Sequence, residues 1–141
     1  MKKDFSLLRC FLETCQSFEA HYDMTIYRLI TQKDWQRAQI LKRVDASNND
    51  IASGFMHFSP KEEVLETAKR YFDPALNPLA LEVDDSSLMD RLRFEVVASR
   101  NHASFPHLYD DAFSVDIVSA VILLQCSKNQ HWAWGERVQL P

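Results

Sequence analysis

The sequence predicts one α+β domain, and three observations carry that prediction. Its 141 residues are the length of one ordinary domain. Hydrophobic residues make up 46% of it, enough for a packed core and above the range of disordered chains. Strand-like and helix-like stretches are mixed without strict β–α–β alternation, which favours an α+β arrangement over a doubly wound parallel sheet.

The elements follow in chain order. Residues 4–18 space Phe5, Leu8, Leu12, Cys15 and Phe18 at steps of three and four, the pattern of an amphipathic helix. Met24 then opens a strand-like run to Ile30, so residues 1–23 read as a helical N-terminal arm. Thr31-Gln32-Lys33-Asp34 has capping-box form ahead of a helix that carries Trp35, Ala38 and Leu41. Residues 45–50 have loop composition, and 54–59 read as a short strand. Ser59-Pro60-Lys61-Glu62 combines an N-cap Ser, Pro at the first helical position and a closing Glu. The helix it announces runs to about Phe72, with Val64, Ala68, Tyr71 and Phe72 inward.

Asp73-Pro74 and Asn77-Pro78 bracket a loop, after which 79–84 alternates with period two as a half-buried strand. A turn at 86–90 leads to a strand at 93–98, and 99–113 reads as an ordered loop. The β-branched run 118–124 is the last core strand, and residues from Ser127 on are polar apart from Trp132 and Trp134. The expected organisation is an arm at 1–23, a core at 24–126 and a polar C-terminal tail at 127–141.

Composition narrows the function. The net charge is −4, with Lys+Arg 16 against Asp+Glu 20, so non-specific nucleic-acid binding lacks the basic surplus it needs. Only two glycines occur, and neither a GxGxxG nor a GxxxxGK[ST] loop is present. Cys10, Cys15 and Cys126 have no zinc-like spacing and read as buried or free thiols of a reducing compartment. No apolar run reaches the ~20 residues of a membrane span, and two early lysines run into Arg9 and Glu13 without a signal-peptide core. The cytoplasm is the expected location, without membrane association.

Two stretches carry the candidate chemistry: Gly54-Phe55-Met56-His57-Phe58-Ser59 and Phe105-Pro106-His107-Leu108-Tyr109. In an extended chain residues two apart share a face, which groups Phe55, His57 and Ser59, and likewise His107 with Tyr109. A histidine with neighbouring hydroxyls can move protons, orient sugar hydroxyls or hold a phosphate oxygen. The plainer alternative is two satisfied core or surface histidines. Glu95 reads as an outward strand carboxylate or as a group steadying positive charge on a sugar ring. Arg28 shares a face with Ile26 and Ile30, so it either snorkels to water or faces an anion. Tyr27 and Trp35 read as core or as a stacking platform. His57, His102 and His107 match no metal-binding spacing, so no metal is expected.

Together, Ile26-Tyr27, Trp35, the 54–59 stretch, 81–84, Arg93-Phe94-Glu95, the 105–109 stretch and 118–121 resemble the domain-of-unknown-function family 952 over about residues 24–124. Three positions depart from its pattern: Arg28 stands where His is usual, Phe94 where Trp is typical, and Asp110-Asp111-Ala112-Phe113 replaces a Gly-Pro-Leu-like turn. The family looks like the ADP-ribosyltransferase-like fold, which includes the RNA 2′-phosphotransferases. The resemblance implies a small, mostly antiparallel two-sheet core with flanking helices and a nucleotide cleft between the sheets. It implies catalytic roles for His57, His107 and Glu95, and ligand contacts from Ser59, Tyr109, Arg28 and Tyr27. NAD or a phosphorylated ribose is the implied ligand and a transferase the implied activity, with the cofactor itself left open. Two alternatives stand beside it: a ligand-binding domain without chemistry, and an interaction module whose protein partner docks on residues 4–18.

Overall fold

Thr25-Ile26-Tyr27-Arg28-Leu29-Ile30 has bulky side chains on both of its faces, so it forms a strand that must be covered twice. The computed structural model describes residues 24–141, and the expected arm at 1–23 lies outside them. In chain order the elements are β1 (Thr25–Ile30), α1 (Gln32–Leu41), β2 (Arg43–Asp45), α2 (Asn48–Ser53), β3 (Met56–His57), β4 (Ser59–Pro60) and α3 (Val64–Tyr71). They continue with β5 (Leu79–Asp84), β6 (Leu92–Val97), β7 (Ala103–Leu108), β8 (Ala112–Ser114), β9 (Val118–Cys126) and β10 (Trp132–Gln139).

Strands β10–β9–β5–β1–β4 make one sheet in that order, β3–β7–β6 a second, and β2–β8 a short third. Every pair is antiparallel, so the architecture is α+β. The large sheet is buried on both faces. Ile26 and Ile30 of β1, with Leu79, Leu81 and Val83 of β5, pack with Met56, Phe58 and Leu108 around the second sheet. Tyr27, Leu29 and Ala80 face the other way, against Val64 and Ala68 of α3. Each fully buried aliphatic or aromatic side chain contributes about 1.5–3 kcal/mol. Among the described residues no helix is long and apolar enough to cross a membrane.

Five local expectations are corrected. The 54–59 stretch is not one strand: the chain leaves the second sheet after His57 and joins the first at Ser59. Phe58 is the pivot, 2% exposed, with its N–H donating to Pro106 O at 3.1 Å. The capping box at Ser59 does not form, because a 3₁₀ turn over Lys61–Glu63 precedes α3 and the Ser59 hydroxyl bonds Thr67 Oγ1 at 3.1 Å. Residues 45–50 are not all loop, for Ser47 and Asp50 close a true capping box on α2. The 99–113 loop holds β7 and the start of β8, and Tyr71, at the end of α3, is exposed.

The polar segment after Ser127 differs from a tail as well. It returns as β10 along β9, with Trp132 buried and Trp134 edge-to-face on Tyr27 at 5.4 Å. Among the described residues β10 is an edge strand in which only Trp132 is buried, which is why its composition reads as polar.

Candidate functional site

The site is built on the pairing of β3 with β7, where His57 and His107 lie directly opposite. Opposed residues of an antiparallel pair share one face, and the two rings are 5.9 Å apart between centroids. Phe55 stacks on His107 at 3.9 Å and lies 4.7 Å from His57 and 5.6 Å from Tyr109. Gly54 aims it there: as the C-cap of α2, at φ 89, it turns the chain into β3.

Each histidine gives its Nδ1 to a carboxylate. His57 Nδ1 is 2.7 Å from Asp50 Oδ1, and His107 Nδ1 is 2.7 Å from Glu95 Oε1. Asp50 is 2% exposed and sits at the end of a buried chain. The Arg28 guanidinium grips it through Nη2–Oδ2 at 2.6 Å and Nη1–Oδ1 at 3.1 Å, and also donates to His57 O at 3.0 Å. The backbone N–H groups of Ser47 and His57 complete its shell at 2.7 and 3.1 Å. Burial favours the proton on Asp50, but the hydrogen bonds from His57 and Arg28 outweigh it and hold the carboxyl far below the usual carboxylate range. An ionised Asp50 can only accept, so His57 Nδ1 carries the hydrogen and Nε2 is the ring's working nitrogen.

On the other strand, Glu95 Oε1 accepts from Tyr109 Oη at 2.6 Å as well as from His107. The Tyr109 and then the His107 bond lower the Glu95 carboxyl, and the same carboxylate raises the Tyr109 phenol. Burial lowers His107, against a smaller opposing pull from Glu95. His107 is therefore kept neutral near pH 7, with Nδ1–H toward Glu95 and Nε2 as acceptor.

The structure brings together His57, His107, Glu95 and Tyr109 among the sequence-derived candidates. Arg28 stands behind them, 6% exposed, its terminal nitrogens spent on Asp50 and His57 O. Its Nε is buried without a hydrogen-bond partner among the described residues. Tyr27 points through the opposite face of β1, where its hydroxyl donates to Glu82 Oε2 at 3.0 Å. Ser59 is buried across from Tyr27 and bonds Thr67. Among the described residues no three His, Cys, Asp or Glu side chains gather as metal ligands; His102 sits in the turn after β6 at φ 61.

Asp50 and Phe55 complete the cluster, and sequence reasoning gave Asp50 no role. The signal was present as Ser47-Asn48-Asn49-Asp50, an N-cap with an acid three residues on. It was masked by Asn and Asp content typical of loops.

The crystal structure of protein CC0527 from Caulobacter crescentus is similar to this chain, with 30% identity and a TM-score of 0.70 over 78% of this chain and 94% of that one. The solution NMR structure of CC0527 gives 31% identity and a TM-score of 0.64 over 75% and 89%. No curated protein matches the chain. A family model described as a protein of unknown function, DUF952, matches residues 29–121, which include β3, β7 and every member of the cluster. The chain belongs to the DUF952 family.

Proposed function

We propose that the His57–His107–Tyr109 face binds a phosphorylated ribose, as in a nucleotide, and that its two histidines move protons on that ligand. The observation that carries the reading is the matched backing of both rings: each Nδ1 is held by a carboxylate, so each ring offers Nε2. A neutral Nε2 takes the proton of an attacking hydroxyl, and a protonated one gives its proton to a leaving oxygen or bonds a phosphate oxygen. Tyr109, 41% exposed, offers a ring face and a hydroxyl for ribose or base. Glu95 Oε2 is the carboxylate oxygen available to steady positive charge on a sugar ring.

The resemblance to the ADP-ribosyltransferase-like fold supports a transferase acting on NAD or on a ribose 2′-phosphate, as a fold-level analogy. In this reading Arg28 acts from inside, through Asp50, and does not touch the ligand.

Ligand-observed NMR with NAD, ADP-ribose, AMP and a ribose 2′-phosphate tests the proposal on wild type, His57→Ala and His107→Ala. One ligand is expected to bind wild type, and each substitution to weaken it about tenfold or more, the loss of a charged or well-placed hydrogen bond. Folded variants that bind every ligand as well as wild type would end the reading.

A further inference from the structure

The order β3–β7–β6 leaves β6 paired on one side only among the described residues. The phase of its free edge follows from two bonds. Phe58 N–H donates to Pro106 O, so even-numbered residues of β7 turn their backbone groups toward the β3 side. Tyr109 N–H donates to Arg91 O at 2.8 Å, so odd-numbered residues turn theirs toward β6. With Arg93 opposite His107 and Glu95 opposite Phe105, the backbones of Arg93 and Glu95 are used inside the sheet. Those of Phe94 and Val96 point out of the open edge, as does the C=O of Leu92, whose N–H already donates to Met89 O at the end of the preceding 3₁₀ turn. Phe94 and Val96 also leave their side chains 44% and 64% exposed.

We propose that β6 pairs antiparallel with β6 of a second copy of this chain, about a twofold axis at Phe94. The strand Leu92-Arg93-Phe94-Glu95-Val96 is self-complementary when reversed: apolar meets apolar, and Arg meets Glu. The axis sets Phe94 on Phe94, Leu92 on the partner's Val96, and Arg93 on the partner's Glu95. The N–H and C=O groups of Phe94 and Val96 and the C=O of Leu92 face outward, so they join the new ladder in phase, while the Leu92 N–H stays on Met89 O.

Charge selects this register. The nearest symmetric alternatives centre on Arg93 or Glu95 and set two arginines or two glutamates directly opposite. The first of these would also bring Arg91 to the partner's Glu95, but Arg91 is already paired with Asp110. Arg93 has a ring contact with Tyr109 at 5.6 Å and no ion pair among the described residues. Glu95 spends only Oε1 on His107 and Tyr109, so in the ligand-free protein Oε2 is left for the partner's Arg93. Charged residues on an edge strand usually ward off pairing, and here their order admits one partner, the same strand reversed. Each copy then adds an arginine beside the other's Glu95 and Tyr109.

The interface is small, so the dimer is expected at micromolar affinity or weaker, about 1 µM to 1 mM. Sedimentation velocity of the full chain from micromolar to millimolar concentration tests it, without any ligand and so apart from the proposed function. Wild type is expected to pass from monomer to dimer. Arg93→Glu and Glu95→Arg are each expected to weaken the dimer about tenfold or more, since two attractive pairs become repulsive. An equimolar mixture of the two variants restores it, because every cross-strand charge contact is again between opposites. Isotope-filtered NMR on mixed labelled and unlabelled wild type reads the register directly, as contacts between Phe94 of one copy and Phe94 of the other. A wild type that stays monomeric throughout, a dimer that neither variant weakens, or filtered contacts that omit β6 would overturn the proposal.

Discussion

The residue that organises the site is Asp50, which accepts from Arg28, from His57 Nδ1 and from two backbone N–H groups while almost fully buried. Removing one member of such a pair strands a charge, whereas the pair as a whole is near break-even against apolar replacements. Asp50→Ala is therefore expected to cost roughly 3–5 kcal/mol in chemical denaturation, with Arg28 left unpaired. The double variant Arg28→Met/Asp50→Ala should cost clearly less than the sum of the two single changes. A strictly additive double variant would show that the two side chains are not coupled. A second readout is specific to the histidine. In wild type, ¹⁵N spectra of neutral His57 should show the hydrogen on Nδ1, and a dominant Nε2–H form would contradict the geometry. Of the two expectations for Arg28, water or an anion, it meets an anion, the chain's own Asp50 carboxylate. Sequence could place Arg28 on the Ile26 face but could not show that Asp50, distant in the chain, is delivered to it by a helix cap.

At the scale of elements, two glycines make opposite demands. Gly54 sits at φ 89 with nothing within 4 Å of where a Cβ would stand, so only its backbone conformation asks for glycine. Gly135 has no such φ, but a Cβ there would meet Leu123 O at 2.9 Å and the Gln125 side chain at 3.0 Å. That crowding lies where the β9–β10 register shifts between Ile122 and Leu124. Gly54→Ala should cost about 1 kcal/mol. Gly135→Ala should cost about 1–3 kcal/mol, because a backbone carbonyl has to move. Thermal unfolding of both variants checks the ranking, and an unaffected Gly135→Ala protein would show that the β10 edge yields freely. Strand 79–84 was readable in sequence because its alternation matches a face that is buried along its length. The 99–113 segment was not, because β7 holds Pro106 and two polar residues, and one of its two partner strands, β3, lies far away in sequence. The same holds for the site. The 54–59 and 105–109 stretches were visible as motifs, but their meeting depends on Phe58 switching the chain between sheets.

For the molecule as a whole, the shifted groups bracket stability from both sides of neutral pH. His107 lies below its ordinary value of 6.5, chiefly through burial, so the folded state prefers it uncharged. Its contribution is complete above 6.5 and is lost as pH falls through the lower folded value. Asp50 comes next. Hydrogen bonds from His57 and Arg28 override burial and hold it far below 3.8, so its contribution is complete above 3.8 and drains as pH falls further. Glu82, held down first by the Arg137 bond, adds to the same acid limb. Tyr27 has the opposite sign. Burial, and then the Glu82 contact, push its phenol from 10.0 up to about 12. That contribution is complete below pH 10 and is lost as the pH rises toward 12. Stability should therefore be greatest on a plateau from about pH 7 to 10, with a two-stage decline on the acid side. Melting temperatures across this range at constant ionic strength test it. His107→Asn should remove the first acid stage while leaving the second, and Tyr27→Phe should flatten the alkaline limb. A maximum in the acid range, or an alkaline limb unchanged in Tyr27→Phe, would mean that these buried contacts do not govern the balance. The plateau also covers the range in which His107 is neutral, so the pH of greatest stability is one at which its Nε2 can accept a proton.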